Sequence, residues 1–227
     1  VKRLEQNNTV VSYDSQTDYG FVPEDELEYL IYERSGQVKS PSIIGDILDA
    51  RRVNDTIEAY RIDTIVHLAS FPRQKVIESN PALASAVMTT GLINLLEAAK
   101  HHKINKFVYI SSSMVYGDFE NGTMEYVQCN PQGQYGIMKY MGEKLVIDYA
   151  RRTGMSYVIV RPSAVYGERD VEDRVVSKFI LNAMQGKTLK VNGPKEVLDF
   201  SHVDDTSAGI ALAVMNDSTK FDIYNIT

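Results

Sequence analysis

Among its 227 residues the chain has a single cysteine, Cys129, and no tryptophan. One thiol can neither close an internal disulfide nor build a zinc cluster, so no metal is expected. Such cysteine usage suits a reducing cytoplasm, the expected location. Cationic charge is also short: 24 Lys and Arg stand against 30 Asp and Glu, for a net charge of −6. That balance argues against a nucleic-acid partner, which calls for a basic face. No apolar stretch approaches the roughly 20 residues of a membrane span, so no membrane association is expected. The opening Val1-Lys2-Arg3-Leu4-Glu5-Gln6 has no signal-peptide core. It also lacks a methionine, and the sequence is expected to begin partway into a longer protein. Repeats, low-complexity tracts and linkers are missing as well.

What is present is ordinary globular material, 44% apolar and 24% charged, enough for a real core. Compact β-branched runs alternate with longer helical stretches, the pattern of βαβ units. Strands are predicted at Thr9–Tyr13, Thr64–Leu68, Lys106–Ile110 and Ser156–Val160. Each is uniformly apolar rather than alternating, as in a parallel sheet covered on both faces. Helices are predicted at Ala82–His101, at Tyr135–Thr153 with Gly154 as its stop, and at Val203–Met215. The expected fold class is therefore α/β, a doubly wound parallel sheet. After about Gly186 the pattern loosens into what reads as the start of a small substrate-side lobe. We divide the chain into a dinucleotide-binding domain, 1–170, and a partial substrate-binding lobe, 171–227, interleaved with the last elements of the first domain.

Asp14 closes the first predicted strand, where a carboxylate accepts hydrogen bonds from an adenosine ribose and favours NAD over NADP. Being simply a turn aspartate is an equally open reading. Asp46 and Ile47 follow the next strand's end and would face the adenine, although an Asp opening a helix is usually an N-cap. No G-x-G-x-x-G or G-x-x-G-x-x-G loop precedes Asp14. A sheet without its central strand leaves buried backbone groups unpaired. The first strand and its glycine loop are therefore expected ahead of Val1. Leu68, Ala69 and Ser70 would line the crevice at a strand's carboxyl end, and His67 reads as a packed histidine rather than a ligand.

The strongest signal is Ser111-Ser112-Ser113-Met114-Val115-Tyr116-Gly117 followed by Tyr135-Gly136-Ile137-Met138-Lys139. Tyr and Lys four apart share a helix face. An ammonium near a phenol favours the phenolate, so the spacing predicts a depressed phenol pKa and a base. A serine hydroxyl aimed at the same substrate oxygen would polarise it. A second pair, Tyr140 and Lys144, lies five residues on, about 140° around the helix, and cannot share that face. The breaks at Asn130-Pro131 and Gly133 select the first pair, leaving Tyr140 and Lys144 to packing and solvent.

These motifs occur in order with Asn130-Pro131, Gly142-Glu143-Lys144, Arg161-Pro162-Ser163-Ala164-Val165-Tyr166-Gly167 and Asp199-Phe200-Ser201-His202-Val203-Asp204-Asp205. Together they resemble the extended short-chain dehydrogenase/reductases of the NAD-dependent epimerase/dehydratase family. The resemblance implies a Rossmann domain with NAD bound, and homodimers formed through Ala82–His101 and Tyr135–Thr153. It implies Tyr135 as the proton-transfer group, Lys139 as holder of the nicotinamide ribose and Ser112 as the catalytic hydroxyl, with Ser113 a near neighbour. Pro162 and Val165 would lie against the nicotinamide. Family dehydratases carry acidic residues just after the catalytic Ser or Thr; here stand Ser113 and Met114, and Met exchanges no protons. The resemblance thus implies epimerisation of a nucleotide sugar through a transient ketone. A net NAD-dependent oxidoreductase and a non-catalytic NAD-binding homologue are the alternatives. Leu198 and Ala164 stand where relatives often place Arg and Asn phosphate contacts. Arg73 and Arg169, with Lys178 and Lys190, are the candidate substitutes; a solvated surface charge is the competing reading for each.

Overall fold

The computed structural model describes residues 1–18, 20–118, 122–191, 193 and 198–227. In chain order the elements are β1 (Ser12–Asp14), α1 (Glu24–Ser35), β2 (Ser42–Ile44), α2 (Ala50–Tyr60), β3 (Thr64–His67) and α3 (Gln74–Ser79). There follow α4 (Pro81–Ser85), α5 (Leu92–His101), β4 (Lys106–Ile110), α6 (Gly133–Thr153) and β5 (Ser156–Pro162). The chain continues through β6 (Ala164–Tyr166), α7 (Val175–Met184), β7 (Phe200–His202), α8 (Val203–Met215) and β8 (Asp222–Ile226).

All strand pairings are parallel, and the fold is the expected α/β Rossmann-like type. The main sheet runs β3-β4-β5-β8, and β1-β2 and β6-β7 form two separate pairs. Val108 registers with Val158, and Val160 with Tyr224, so the middle of the main sheet is a solid apolar block. Val108, Val158 and Val160 are fully buried. On one face lies the larger core, built from α5, α6 and the lead-in to α2 around Leu92, Leu96, Phe107 and Val146. On the other, Ala213 of α8 packs on Val108, Val158 and Val160. Both α8 and β8 therefore belong to the layers of the main sheet, although they follow the small β6-β7 pair in part.

Two elements differ most from the sequence reading. β1 spans Ser12–Asp14 rather than Thr9–Tyr13, which places Asp14 inside the strand. The predicted helix Ala82–His101 is broken into α4, a π-turn at Ala86–Gly91, and α5. Gly91 allows Ile47 to press close there: a Cβ on it would lie 2.5 Å from the Ile47 Cδ1. The continuous helical run Pro81–His101 is also apolar and long enough, by length and composition, to cross a membrane. That corrects the expectation that no stretch approaches such a length. Half of its apolar window is buried inside the fold, where Leu92 and Leu96 fill the core.

Candidate active site

The carboxyl ends of the parallel strands gather the chemistry-bearing residues, as open α/β sheets do. α6 starts where the sequence breaks. Gly133 holds a left-handed φ of +70°, and the backbone N–H of Tyr135 donates to Gln74 Oε1 at 2.8 Å. The Gln74 side chain thus occupies one of the helix's unpaired N-terminal donors and fixes where Tyr135 enters. Six turns later Gly154 ends α6 in the left-handed conformation, its N–H on the Ala150 carbonyl. Glycine at 142 lets α6 approach β4, because a Cβ there would meet Tyr109 Oη at 2.1 Å.

Ser112 follows β4 and is 8% exposed. Its Oγ accepts from the Met114 N–H at 3.2 Å, opening a 3-10 turn over Ser113–Tyr116. The Ser112 side chain lies within reach of the Tyr135 phenol and pulls its pKa down. Lys139, 4% exposed, donates from Nζ to the Ile110 carbonyl at 2.8 Å. The same ammonium lies 5.8 Å from the Tyr135 ring centre and 5.5 Å from that of Tyr109. Ser112, Tyr135 and Lys139 are therefore together. Lys144 is exposed and folds over its own neighbour, the Tyr140 ring, at 4.6 Å, so the second pair stays outside.

The electrostatics depart from the simple expectation. The Tyr135 phenol is raised above its ordinary value, not lowered; burial is the main cause, with the Ser112 hydroxyl and then the Arg174 charge pulling the other way. Lys139 is pushed down to about 8, chiefly by burial, with the Glu143 carboxylate opposing. The lysine is thus poised between charge states near neutrality instead of being a fixed cation. His67, buried against the Phe107 and Tyr109 rings, is pushed down to about 3, first by burial and then by Lys139, and stays neutral. Among the described residues, no group of three or more His, Cys, Asp or Glu is placed to hold a metal ion.

The predicted cofactor residues fall along the same edge. Asp14 is exposed at the end of β1, where its Oδ1 accepts from the Gln16 N–H at 2.7 Å, so it does close a turn. Asp46 likewise turns back on the Leu48 N–H at 2.9 Å, while the N-cap of α2 is Asp49. Ile47 points into the core. Leu68 and Ala69 are exposed at the end of β3, Leu68 by 58%. Ser70 donates to the Phe71 carbonyl. Pro162 and Val165 are half-buried. An exposed acid at Asp14, an apolar face at Leu68 and a buried ammonium at Lys139 fit an adenosine-to-nicotinamide dinucleotide laid along this edge.

Arg73 and Arg169 are not brought to one place. Arg73 bridges Asp173 at 3.1 Å and lines a cavity of about 280 Å³ with Val165, Arg174, Leu198 and Phe200. Arg169 lines an adjoining cleft of about 710 Å³, which shares Val165, Asp170 and Arg174 with the first, and lies 3.9 Å from Glu33. Arg174 lines both and its charge reaches the Tyr135 phenol, a residue the sequence reading missed. Lys178 pairs with Asp173 at 3.2 Å, and Lys190 is exposed. Also missed was the buried set around Glu143 and Arg161. Its signal was available, since Glu143 lies four residues after Lys139 on one helix face.

Residues 2–227 match the family model described as NAD dependent epimerase/dehydratase family. The chain is 30% identical over 198 residues to the dTDP-glucose 4,6-dehydratase of Actinoplanes sp., covering 86% of this chain and 60% of that protein. It is 34% identical over 153 residues to the uncharacterized UDP-glucose epimerase YtcB of Bacillus subtilis, covering 66% and 48%. It thus spans less than two thirds of the length of either relative. The crystal structure of UDP-glucuronic acid 4-epimerase from Bacillus cereus, in complex with UDP-glucuronic acid and NAD, superposes with a TM-score of 0.88 at 27% identity, covering 99% of this chain and 72% of that one.

Proposed function

Since this chain belongs to the NAD-dependent epimerase/dehydratase family, we propose that the protein epimerises a nucleotide sugar through a transient ketone, with NAD as its cofactor. The observation that carries the reading is the buried Lys139 ammonium 5.8 Å from the Tyr135 ring centre, with the buried Ser112 within reach of the same phenol. Bound NAD supplies a reversible hydride acceptor, and Asp14, Asp46, Ile47, Leu68, Ala69, Ser70, Lys139, Pro162 and Val165 would hold it. Tyr135 takes the proton of the sugar hydroxyl as its O–H bond breaks, and returns it once the carbon has been reduced on the other face. Ser112 donates to the same sugar oxygen and stabilises the charge that develops there. Arg174 favours the phenolate that burial alone disfavours, and Lys139 in its ammonium form would add to it.

Epimerisation rather than dehydration is supported by Met114. It follows Ser112 closely and is 42% exposed, and a thioether cannot move the proton that elimination of water requires. UDP- and dTDP-sugars are the substrate class to which the similar proteins point. Arg73, Arg169 and Ser113 are proposed as substrate contacts. Assembly as a homodimer through Pro81–His101 and α6 is part of the proposal, with Leu83 and Ile137 exposed on those helices; light scattering tests it.

A panel of nucleotide sugars scored by product analysis tests the reaction. An epimer appearing with no net absorbance gain at 340 nm is the expected result. Stoichiometric NADH build-up would make the protein a net oxidoreductase, and a 4-keto-6-deoxy product would make it a dehydratase.

A further inference from the structure

One buried ion pair has no part in the mechanism above. Glu143 and Arg161 are 1% and 2% exposed. Arg161 grips the carboxylate with both arms, Nε to Oε1 at 2.9 Å and Nη2 to Oε2 at 2.7 Å. Sinking such a pair costs desolvation that its attraction seldom exceeds, so stability alone explains it poorly. Its location is more informative. Glu143 lies one turn beyond Lys139 on the same face of α6. Its Oε1 also accepts from Ser111 Oγ at 2.5 Å, and Ser111 is the residue before Ser112. Arg161 Nη1 reaches Tyr116 Oη at 2.7 Å and the Glu125 carbonyl at 3.3 Å, and the Tyr116 hydroxyl donates to Asn225 at 2.8 Å. A single carboxylate therefore joins the helix bearing Tyr135 and Lys139 to the strand end bearing Ser112. Through Arg161 it also joins the strand end that precedes Pro162.

We propose that Glu143 is a positioning residue for the reaction, fixing the register of Ser112 against Tyr135 and Lys139 and placing a carboxylate one helical turn from the Lys139 ammonium. The inference rests on the assignment of Ser112, Tyr135 and Lys139 made above. The groups facing Lys139 are Tyr135 and Glu143 from its own helix, Tyr109 and the Ile110 carbonyl from β4, and the neutral His67 from β3. Of these only Glu143 is a carboxylate. Its direction agrees, since it opposes the burial that lowers Lys139.

The test uses the complete protein with UDP-glucuronate, UDP-glucose and dTDP-glucose, reading kcat, KM, the pH profile of kcat and the melting temperature together. Glu143→Gln keeps the shape and removes the charge; Glu143→Gln with Arg161→Met removes both charges and leaves no unpaired buried charge. Both are expected to lower kcat by about tenfold or more, with KM within about threefold of the parent. The alkaline limb of kcat should move to lower pH. Glu143→Asp keeps the charge and should keep the parent's limb. Should the glutamine variants fail to fold, Ser111→Ala removes one contact only and is expected to lower kcat several-fold with the limb unmoved. Parent-like kcat and limb in a folded double variant, or parent-like kcat in Ser111→Ala, overturns the proposal. Tyr135→Phe in the same assay separates the two failures. If it turns over normally, the site assignment falls; if it is inactive while the Glu143 variants match the parent, only the positioning role falls.

Discussion

Two arginine–carboxylate pairs divide the molecule. Arg161–Glu143 lies under the strand ends with side chains 3% and 1% exposed, bidentate and tied to Ser111 and Tyr116. Arg73–Asp173 lies at the mouth of the smaller cavity, 22% and 47% exposed, with one contact at 3.1 Å. The chemistry is the same, but solvent access differs. The buried pair belongs to the part that must hold proton-transfer groups within fractions of an ångström. The open pair belongs to the part proposed to meet the substrate, where charges can exchange partners.

The contrast can be broken at four places. The largest effect is expected from Tyr135→Phe, which removes the proton carrier of the rigid part; turnover of a nucleotide sugar should fall by about 10²–10⁴, measured by product formation. Next, Arg161→Ala should cost about 3–5 kcal/mol in denaturant unfolding, because it strands the Glu143 carboxylate in the interior. The third effect has two opposite signs. Activity that needs the Lys139 ammonium should fall as pH rises through about 8. Stability should move the other way: between about 8 and the ordinary 10.5 the unfolded chain holds a proton that the folded one has released, so stability gains with pH there. Parallel pH profiles of kcat and of unfolding check both. The smallest effect is expected at the open pair, where Arg73→Ala should change stability by no more than about 1 kcal/mol. A loss as large as that of Arg161→Ala would erase the distinction.

The same division explains what the sequence revealed. β4 and β5 were legible because uniformly apolar runs fit strands covered on both faces, and α6 because Gly133 and Gly154 punctuate it. Tyr135 and Lys139 were legible from their spacing, but the direction of the phenol shift was not, since burial depends on what packs around it. α1 went unseen: it buries only Leu30, and Tyr29 and Tyr32 face solvent, so it carries no apolar stripe. Pro23 and the acidic first turn Glu24, Asp25 and Glu26 were its only signals. The three-residue strands β2, β6 and β7 are too short for periodicity to register. Arg73 and Arg169 were drawn as alternatives for one role, yet the fold sends them to different cavities, a tertiary fact with no local trace.

The pairing of β8 with β5 bears on how the protein comes to be made. Val158 waits for Asp222, and Pro162 for Ile226, across the whole length of β6, α7, β7 and α8. Until that late segment emerges from the ribosome, β5 presents a bare, hydrophobic strand flank to its surroundings. Closing so distant a contact is slow by its loop entropy, and an open parallel edge is a template for intermolecular association. Nascent chains halted before Asp222 should therefore be the aggregation-prone species in expression, and chaperone demand should peak just before β8 is released.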